Sequence, residues 1–435
     1  MLRLSSFLAL LLSSSLFGQA PNSLVISDDI GRFWTAYDSI TTTTDSTEQV
    51  AYLEQYFLSK ATPGLRSFME ARRYDVGSYI EAINAYPRFW SSVRENTLKS
   101  SVYAEEIIAG VAKLKALYPE LKPAEIYFTI GALMSGGTTL DDRVLIGAEI
   151  AMADENTVSS EFPEWFQESL RNYFASNPIN ELTFLNVHEY VHTQQSAAGG
   201  YDLLSQCLYE GVAEFVAEKA LDKASLAPCI AYGKANDDKL KARFEMQLFS
   251  PNYDEWLYNN TDNPFNMRDL GYYVGHAICA KYYAASPDKI KAIKELIELN
   301  YADSSSIELF VEKTGYFTKP MSVLHSELEQ ARPHVVKVVE FANGAMDVDP
   351  TITHMTIEFS EAMDPKFRSF DYGPLGEENV LRVTEFIGLS EDGRTVDLAI
   401  ELHPEKELQL LVAPGFRNLN GQHLVPYLID IRTRP

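Results

Sequence analysis

The sequence is poor in cysteine, in positive charge and in long apolar runs, and each shortage excludes a class of protein. Three cysteines in 435 residues, with no Cys-x-x-Cys pair, exclude a disulfide-rich scaffold and a cysteine-based metal site. Lys and Arg number 37 against 61 Asp and Glu, and the net charge of −24 argues against nucleic acid as a partner. Beyond the first twenty residues no run of about 18 apolar residues occurs, so we expect no transmembrane segment in the mature chain.

The cysteines leave two alternatives open. Cys207 and Cys229 are the sequence-nearest pair and are compatible with one bridge in an oxidising compartment. Three buried free thiols, including Cys279, are equally compatible with the sequence.

The first twenty residues, MLRLSSFLALLLSSSLFGQA, are typical of a secretory signal peptide. Arg3 supplies the positive start, residues 7–17 form the apolar core, and Gly18-Gln19-Ala20 is a small-x-small cleavage site. The alternative is an N-terminal anchor helix that stays attached. We expect export to the periplasm, the cell surface or the medium.

Residues 21–45 are mixed, and helical periodicity dominates from there to about residue 120. Asp45 and Glu48 have capping-box spacing before the first helix. Two segments alternate as strands, EIYFTI (125–130) and RVLIGAEIAM (143–152), and turn-rich SGGTTLDD lies between them. Later helices are predicted at about 163–176, 181–197, 202–222, 237–248, 269–285, 288–299 and 305–313. This pattern predicts a mostly helical α+β domain with a small mixed sheet.

The last hundred residues have a different texture. From about residue 333 the chain consists of short β-branched or alternating runs, separated at intervals of about ten residues by Gly, Asn, Asp and Pro. The runs are VVKVVEF, ITHMTIEF, VLRVTEF, TVDLAIEL, LQLLVAP and YLIDIRT. They predict a separate all-β sandwich, so the chain should be multidomain.

The stretch LNVHEYVHTQQ (185–195) contains the pattern His-Glu-x-x-His. On a helix, His188 and His192 lie one turn apart on the same face and can share one Zn²⁺. Glu189 beside them is placed to act as a general base on a water molecule. The alternative is a polar turn of a surface helix with no metal.

A third ligand is available eighteen residues past His192. Glu210 lies in LYEGVAEF on the next helical segment, and the segment 197–202, with two glycines, supplies a reversal between antiparallel helices. Two histidines and one glutamate leave a fourth position open, as catalytic rather than structural zinc sites do. Glu214, one turn later, is placed to accept an N–H from a liganding imidazole.

HEYVH followed by EGVAEF resembles the gluzincin metallopeptidases (peptidase clan MA), in which HExxH precedes a glutamate ligand on the next helix. The Glu-Gly-x-Ala-x-aromatic form is loosely similar to the membrane-alanyl aminopeptidase branch, although the spacing there is usually one residue longer. The resemblance covers roughly residues 120–300 and is firm at 185–218. It implies that His188, His192 and Glu210 bind zinc and that Glu189 is the base.

The same resemblance implies further substrate contacts. In that branch a tyrosine three residues before a glycine stabilises the oxyanion, which makes Tyr272 in RDLGYYVGHAI the candidate, with Tyr273 and His276 as alternatives. Such enzymes also bind the substrate backbone along an edge strand, and the resemblance places that strand at RVLIGAEIAM. Glu149 on it would then hold a substrate's free amine.

The tail resembles the bacterial Ig-like modules of exported proteins, because AMDVDPTITHMTIEFSEAMDP ends in their F-S-x-x-M-D-P pattern. We therefore expect a signal peptide over 1–20, a gluzincin-like zincin domain over 21–332 and an Ig-like sandwich over 333–435. The expected partners are Zn²⁺ and a peptide or protein substrate, while the partner of the Ig-like domain stays open. The alternatives are a non-catalytic surface binding protein on a zincin fold and a zinc hydrolase of a non-peptide bond.

Overall fold

The structure is a computed structural model that describes residues 24–196, 200–259 and 263–435. These residues form helices and several small sheets, which confirms a largely helical chain with limited strand content. They divide into two compact units, residues up to 112 with 122–193, and residues 113–121 with 194–435. The expected signal peptide at 1–20 lies outside the described residues.

The first unit contains a four-stranded sheet in the order β1-β2-β4-β3. Its strands are β1 (Val25–Ile26), β2 (Glu125–Thr129), β3 (Gly137–Leu140) and β4 (Arg143–Gly147). β1, β2 and β4 are parallel, and β3 pairs antiparallel with β4. The continuous apolar runs of β2 and β4 fit parallel strands that are buried on both faces.

Two sequence predictions in this sheet need correction. The segment SGGTTLDD, expected as a turn, contains strand β3, because Asp141 adopts φ +53° in a two-residue loop that pairs Leu140 with Arg143. RVLIGAEIAM is not one strand, since β4 ends at Gly147. A short helix follows at once and contains Glu149.

Nine helices follow in the described part of the first unit: α1 (Asp28–Ile40), α2 (Ser46–Tyr56), α3 (Pro63–Arg72), α4 (Val76–Ala85), α5 (Pro87–Leu98), α6 (Ala104–Leu117), α7 (Ala148–Ala151), α8 (Glu164–Ala175) and α9 (Leu182–His192). α6 runs on into the second unit. Pro63 and Pro87 occupy the first turns of α3 and α5, where a missing N–H costs little. Asp45 caps α2 as predicted, whereas Glu48 accepts from the Thr43 hydroxyl and does not close a capping box.

The second unit begins with six helices: α10 (Leu203–Leu221), α11 (Pro228–Phe244), α12 (Leu270–Ala285), α13 (Lys289–Ile297), α14 (Ser304–Thr314) and α15 (Met321–Gln330). α11 begins well before the predicted 237, because Pro228 starts it and a kink at Asn236 (φ −130°) interrupts the helical pattern. α10 and α12 approach so closely that a Cβ added at Gly275 would lie 1.9 Å from the Cys207 carbonyl oxygen.

The predicted strands of the tail are all present. They form one antiparallel sheet of β5 (Val335–Val338), β6 (His354–Phe359), β9 (Thr395–Glu401) and β8 (Arg382–Leu389), and a second of β11 (Tyr427–Arg432), β10 (Glu407–Val412) and β7 (Phe370–Asp371). Buried residues of both sheets form one hydrophobic core. The short β7 was not predicted. Arg332, just after α15, donates to the carbonyl oxygens of His423 and Leu424 at 2.9 and 2.8 Å.

Two expectations from composition are answered directly. None of the helices in the described ranges is long and apolar enough to cross a bilayer. Cys207, Cys229 and Cys279 are all buried and free, so the alternative of free thiols holds and the bridge does not form.

The closeness of α10 and α12 can be tested with a matched pair of glycine substitutions. Gly275→Ala places a methyl group against backbone atoms that cannot move aside, and we expect it to destabilise the fold by about 3 kcal/mol or more. Gly31→Ala, at a position in α1 with nothing within 4 Å, should be neutral or stabilise by up to about 1 kcal/mol. Thermal unfolding measures both, and equal Tm values for the two variants would contradict the close helix contact.

Candidate metal centre

Helix α9 carries the predicted His-Glu-x-x-His pattern on buried positions. His188, Glu189 and His192 are only 7–9% exposed. The Nε2 atoms of the two histidines lie 3.1 Å apart, since residues one turn apart share a helix face. The two rings therefore converge on one point, and the interpretation of this stretch as a solvent-facing turn is wrong.

Glu210 of α10 completes a group of three metal-binding side chains. It is 6% exposed, and one ligand atom from each of His188, His192 and Glu210 lies within 4.8 Å of the other two. Two imidazole nitrogens and a carboxylate oxygen are the donors that divalent transition metals accept at distances of about 2 Å. The group could therefore hold a metal ion, with room in its donor count for a further ligand. The predicted reversal between the two helices includes residues 197–199, which lie outside the described part of the chain.

Tyr258 is a neighbour of the metal-binding group that the sequence analysis missed. Its hydroxyl donates to Glu210 Oε1 at 2.5 Å and accepts from Gln206 Nε2 at 2.8 Å. Gln206 lies one turn before Glu210 on α10, so the two α10 side chains reach the same hydroxyl. Tyr258 has φ +56° and belongs to no helix or strand, and no motif distinguishes it from the other tyrosines. It fixes the orientation of the Glu210 carboxylate.

Glu189 lies against the edge strand of the sheet. A Cβ added at Gly137 in β3 would lie 2.6 Å from Glu189 Oε1, so a side chain there would displace the carboxylate. Among the described residues β3 has no strand on its far side, whereas β4 is paired on both sides. The edge strand beside Glu189 is therefore β3, and the prediction that placed it at 143–152 is wrong.

Glu149 occupies a structural position. Its side chain is fully buried in α7, and its two carboxylate oxygens accept from the backbone N–H groups of Gly131 and Leu133 at 2.9–3.1 Å. Burial raises the pKa of Glu149 to about 7 against these stabilising bonds. The carboxylate holds the loop before β3, and this burial argues against its predicted role as an anchor for a substrate's amine.

Tyr272 and Glu214 lie on the two helices that meet at Gly275. Tyr272 is partly buried in the first turn of α12, one turn before Gly275. A Cβ at Gly211, directly after Glu210, would touch the Gly275 backbone at 2.3 Å, so this part of α12 adjoins the metal ligand on α10. Glu214 is buried and accepts a hydrogen bond from the Ser225 hydroxyl. The predicted contact of Glu214 with a liganding histidine stays a prediction.

Tyr273 and His276 belong to a different setting. They line a cavity of about 310 Å³ along α11 and α12, where the Tyr273 hydroxyl donates to Asp237 Oδ1 at 2.9 Å. His276 Nε2 lies 3.2 Å from Glu218 Oε2, and this hydrogen bond lowers the pKa of Glu218 to about 2. Glu218 is two helical turns from Glu210, which is about 12 Å along α10. The structure therefore does not bring Tyr273 or His276 to the metal-binding group.

Comparisons with known proteins give no relative from which to transfer a function. No protein family matches the chain, and no curated protein does. Among solved structures the S-layer protein rSbsC matches at 12% identity over 93% of this chain and 45% of that chain, with a TM-score of 0.18. The N-terminal part of the bacterial S-layer protein SbsC matches at 13% identity over 92% of this chain and 68% of that chain, also with a TM-score of 0.18. The chain spans about half the length of rSbsC, and TM-scores this low carry no argument.

The hydrogen bond from Tyr258 predicts a measurable effect on metal binding. Tyr258→Phe removes the donor to Glu210 and should weaken zinc affinity about tenfold or more, as loss of such supporting bonds does elsewhere. The measurement is competition with a chromophoric chelator. Tyr372→Phe, at an exposed tyrosine of the tail, is the matched control and should bind zinc as the unsubstituted chain does. Equal affinities for the two variants would show that Tyr258 does not support the ligand.

Proposed function

We propose that the chain is an exported zinc metallopeptidase of the gluzincin type. His188, His192 and Glu210 would hold the zinc ion, and Glu189 would act as the general base. The observation that carries the proposal is the buried convergence of the three donors, with a second carboxylate, Glu189, against an edge strand. That combination supplies both halves of the chemistry that peptide hydrolysis needs, a Lewis acid site and a base beside a place for the substrate.

The zinc ion, when bound, would supply a Lewis acid that polarises the scissile carbonyl and lowers the pKa of water, so that the water can be deprotonated for attack. Glu189 accepts the proton of the attacking water and delivers it to the leaving amine. Its position on α9, one residue after His188, keeps its carboxylate at the metal site whatever substrate is bound. Glu189 is only 8% exposed, which limits the water that can reach it and favours proton transfer within the site.

β3 provides the surface along which a peptide can lie. In an antiparallel pair, successive residues alternate between pointing their backbone N–H and C=O groups at the partner strand and pointing them away from it. The Gly147 N–H donates to Gly136 O, so Gly136 and Thr138 face β4 while Gly137 and Thr139 face outward. A peptide that adds to this edge would have its backbone held by main-chain hydrogen bonds, independently of its side chains.

Tyr272 is our candidate for oxyanion stabilisation. It lies on the part of α12 that adjoins Glu210, and a phenol donor aimed at the developing negative charge would lower the barrier. Tyr258 is the other phenol of the site, and its hydroxyl already donates to the metal ligand Glu210. In this proposal Tyr272 donates to the substrate's oxyanion, and Tyr258 donates to the metal ligand Glu210.

The remaining parts of the chain fit an exported enzyme. We assign the sheet of the first unit together with α9 and α10 to a zincin fold. The two antiparallel sheets of the tail, with their common core and the FSEAMDP motif, are assigned to a bacterial Ig-like domain that serves as a spacer or docking module. The N-terminal sequence supports secretion of the mature chain.

The test is hydrolysis of a peptide library by the zinc-loaded chain, read by mass spectrometry. We expect the unsubstituted protein to cleave peptides and Glu189→Gln to lose at least about 100-fold in rate, because only the base is removed. Glu168→Gln, an exposed carboxylate on α8, makes the same charge change away from the site and should remain active.

Other outcomes distinguish the alternative functions. Cleavage of esters but not peptides would identify a hydrolase of another bond. A zinc-loaded chain that binds peptides but turns over neither class of substrate would contradict the enzyme and favour a binding protein. Equal peptide cleavage by Glu189→Gln would show that Glu189 is not the base.

A further inference from the structure

An arginine occupies the open edge of β3. Arg72, the last residue of α3, is exposed, and its Nη2 donates to the carbonyl oxygen of Gly137 at 3.2 Å. The Ser135 hydroxyl donates to the same oxygen at 2.6 Å. A Cβ at Gly137 would meet the Glu189 carboxylate, so the guanidinium is bonded to the residue that adjoins the proposed base.

These two donors change what the edge strand can accept. Gly137 faces outward from the sheet, and its carbonyl oxygen has two lone pairs, both of which are already used. A substrate strand that pairs along β3 would normally donate an N–H to this oxygen. At Gly137 the substrate strand meets the Arg72 guanidinium instead. The backbone groups of Thr139, further along β3, also point outward.

The charge of Arg72 has no carboxylate partner among the residues that the structure describes. Arg32 and Arg94 of the same unit are paired with aspartates. The chain as a whole carries a charge of −24, and Arg72 places a positive charge on the open edge of β3. Arg72 at the end of α3 also interacts favourably with the helix dipole, but that interaction does not require a contact with β3.

We propose that Arg72 is a specificity-determining residue that binds a carboxylate of the substrate next to the scissile bond. This inference rests on the proposed function. The carboxylate is either the C-terminus of a peptide or the side chain of Asp or Glu. The fork of guanidinium N–H groups fits a carboxylate in two parallel bonds, and an ion pair with the substrate replaces the single 3.2 Å bond to the uncharged carbonyl oxygen of Gly137. The chain then selects acidic or C-terminal segments from the peptides that β3 can hold.

The experiment measures peptide binding to the full-length, zinc-loaded Glu189→Gln protein, in which hydrolysis cannot obscure the affinity. The probes are four fluorescent alanine–phenylalanine peptides on one backbone. Two differ only in a free or amidated C-terminus, and two amidated peptides differ only in one internal Glu or Gln. Arg72→Ala and Arg72→Lys are compared with Arg66→Ala, which removes an exposed arginine from the same helix.

We expect at least one of the two carboxylate peptides to bind about tenfold tighter than its neutral match, and Arg72→Ala to reduce this ratio of affinities to about one. Arg72→Lys should retain part of the preference, because it keeps the charge but loses the fork. Arg66→Ala should leave it intact. The C-terminal pair and the Glu/Gln pair separate the two sources of the carboxylate.

The outcomes that overturn the proposal differ from those that overturn the proposed function. No preference for a carboxylate peptide, or an equal loss with Arg72→Ala and Arg66→Ala, would overturn the role of Arg72 and leave peptide hydrolysis untouched. Failure of all four peptides to bind would overturn both. A third outcome is a carboxylate preference that depends on Arg72, in a protein that cleaves nothing once Glu189 is restored. That outcome would support the role of Arg72 in a binding protein and would reject the peptidase.

Discussion

The structure depends on the burial of ionisable side chains in one small region. Glu189, Glu210 and Glu214 are each less than 10% exposed, and two histidines lie beside them. Buried carboxylates are costly unless they are paired, hydrogen-bonded or bound to a cation. A divalent cation held by His188, His192 and Glu210 would offset part of this cost, and hydrogen bonds from Tyr258 and Ser225 to Glu210 and Glu214 offset another part. Backbone contacts and hydrogen bonds from the surrounding elements hold these side chains in place.

Close backbone contacts help to position the buried carboxylates. Gly211 directly follows Glu210 and lies against Gly275, so the contact with α12 constrains the part of α10 that carries Glu210. Gly137 plays the corresponding part for Glu189, since any side chain there would push the carboxylate away. Hydrogen bonds help as well. Tyr258 orients Glu210, and Glu149 fixes the loop that precedes β3.

The metal-binding group was predictable from the sequence because its geometry is local. One helical turn separates His188 from His192, and a buried, apolar helix presents Glu210 eighteen residues later. Tyr258 was not predictable, because it lies outside helices and strands and reaches Glu210 only through the tertiary fold. Glu149 was predicted on a strand for a related reason. The sequence RVLIGAEIAM continues to alternate like a strand past Gly147, whereas tertiary contacts end β4 at that residue. β3 was missed because two glycines and two aspartates outweigh Thr138 and Thr139 in any local pattern.

The zinc content of the purified protein is the most direct test of the account. Elemental analysis should be made on the unsubstituted chain, on His188→Ala and on Glu189→Gln after identical zinc loading. The account predicts about one zinc ion per chain in the unsubstituted protein and in Glu189→Gln, and none in His188→Ala, because only the last removes a ligand. Absence of zinc from the unsubstituted protein, or full retention by His188→Ala, would contradict the metal centre and the peptidase that we build on it.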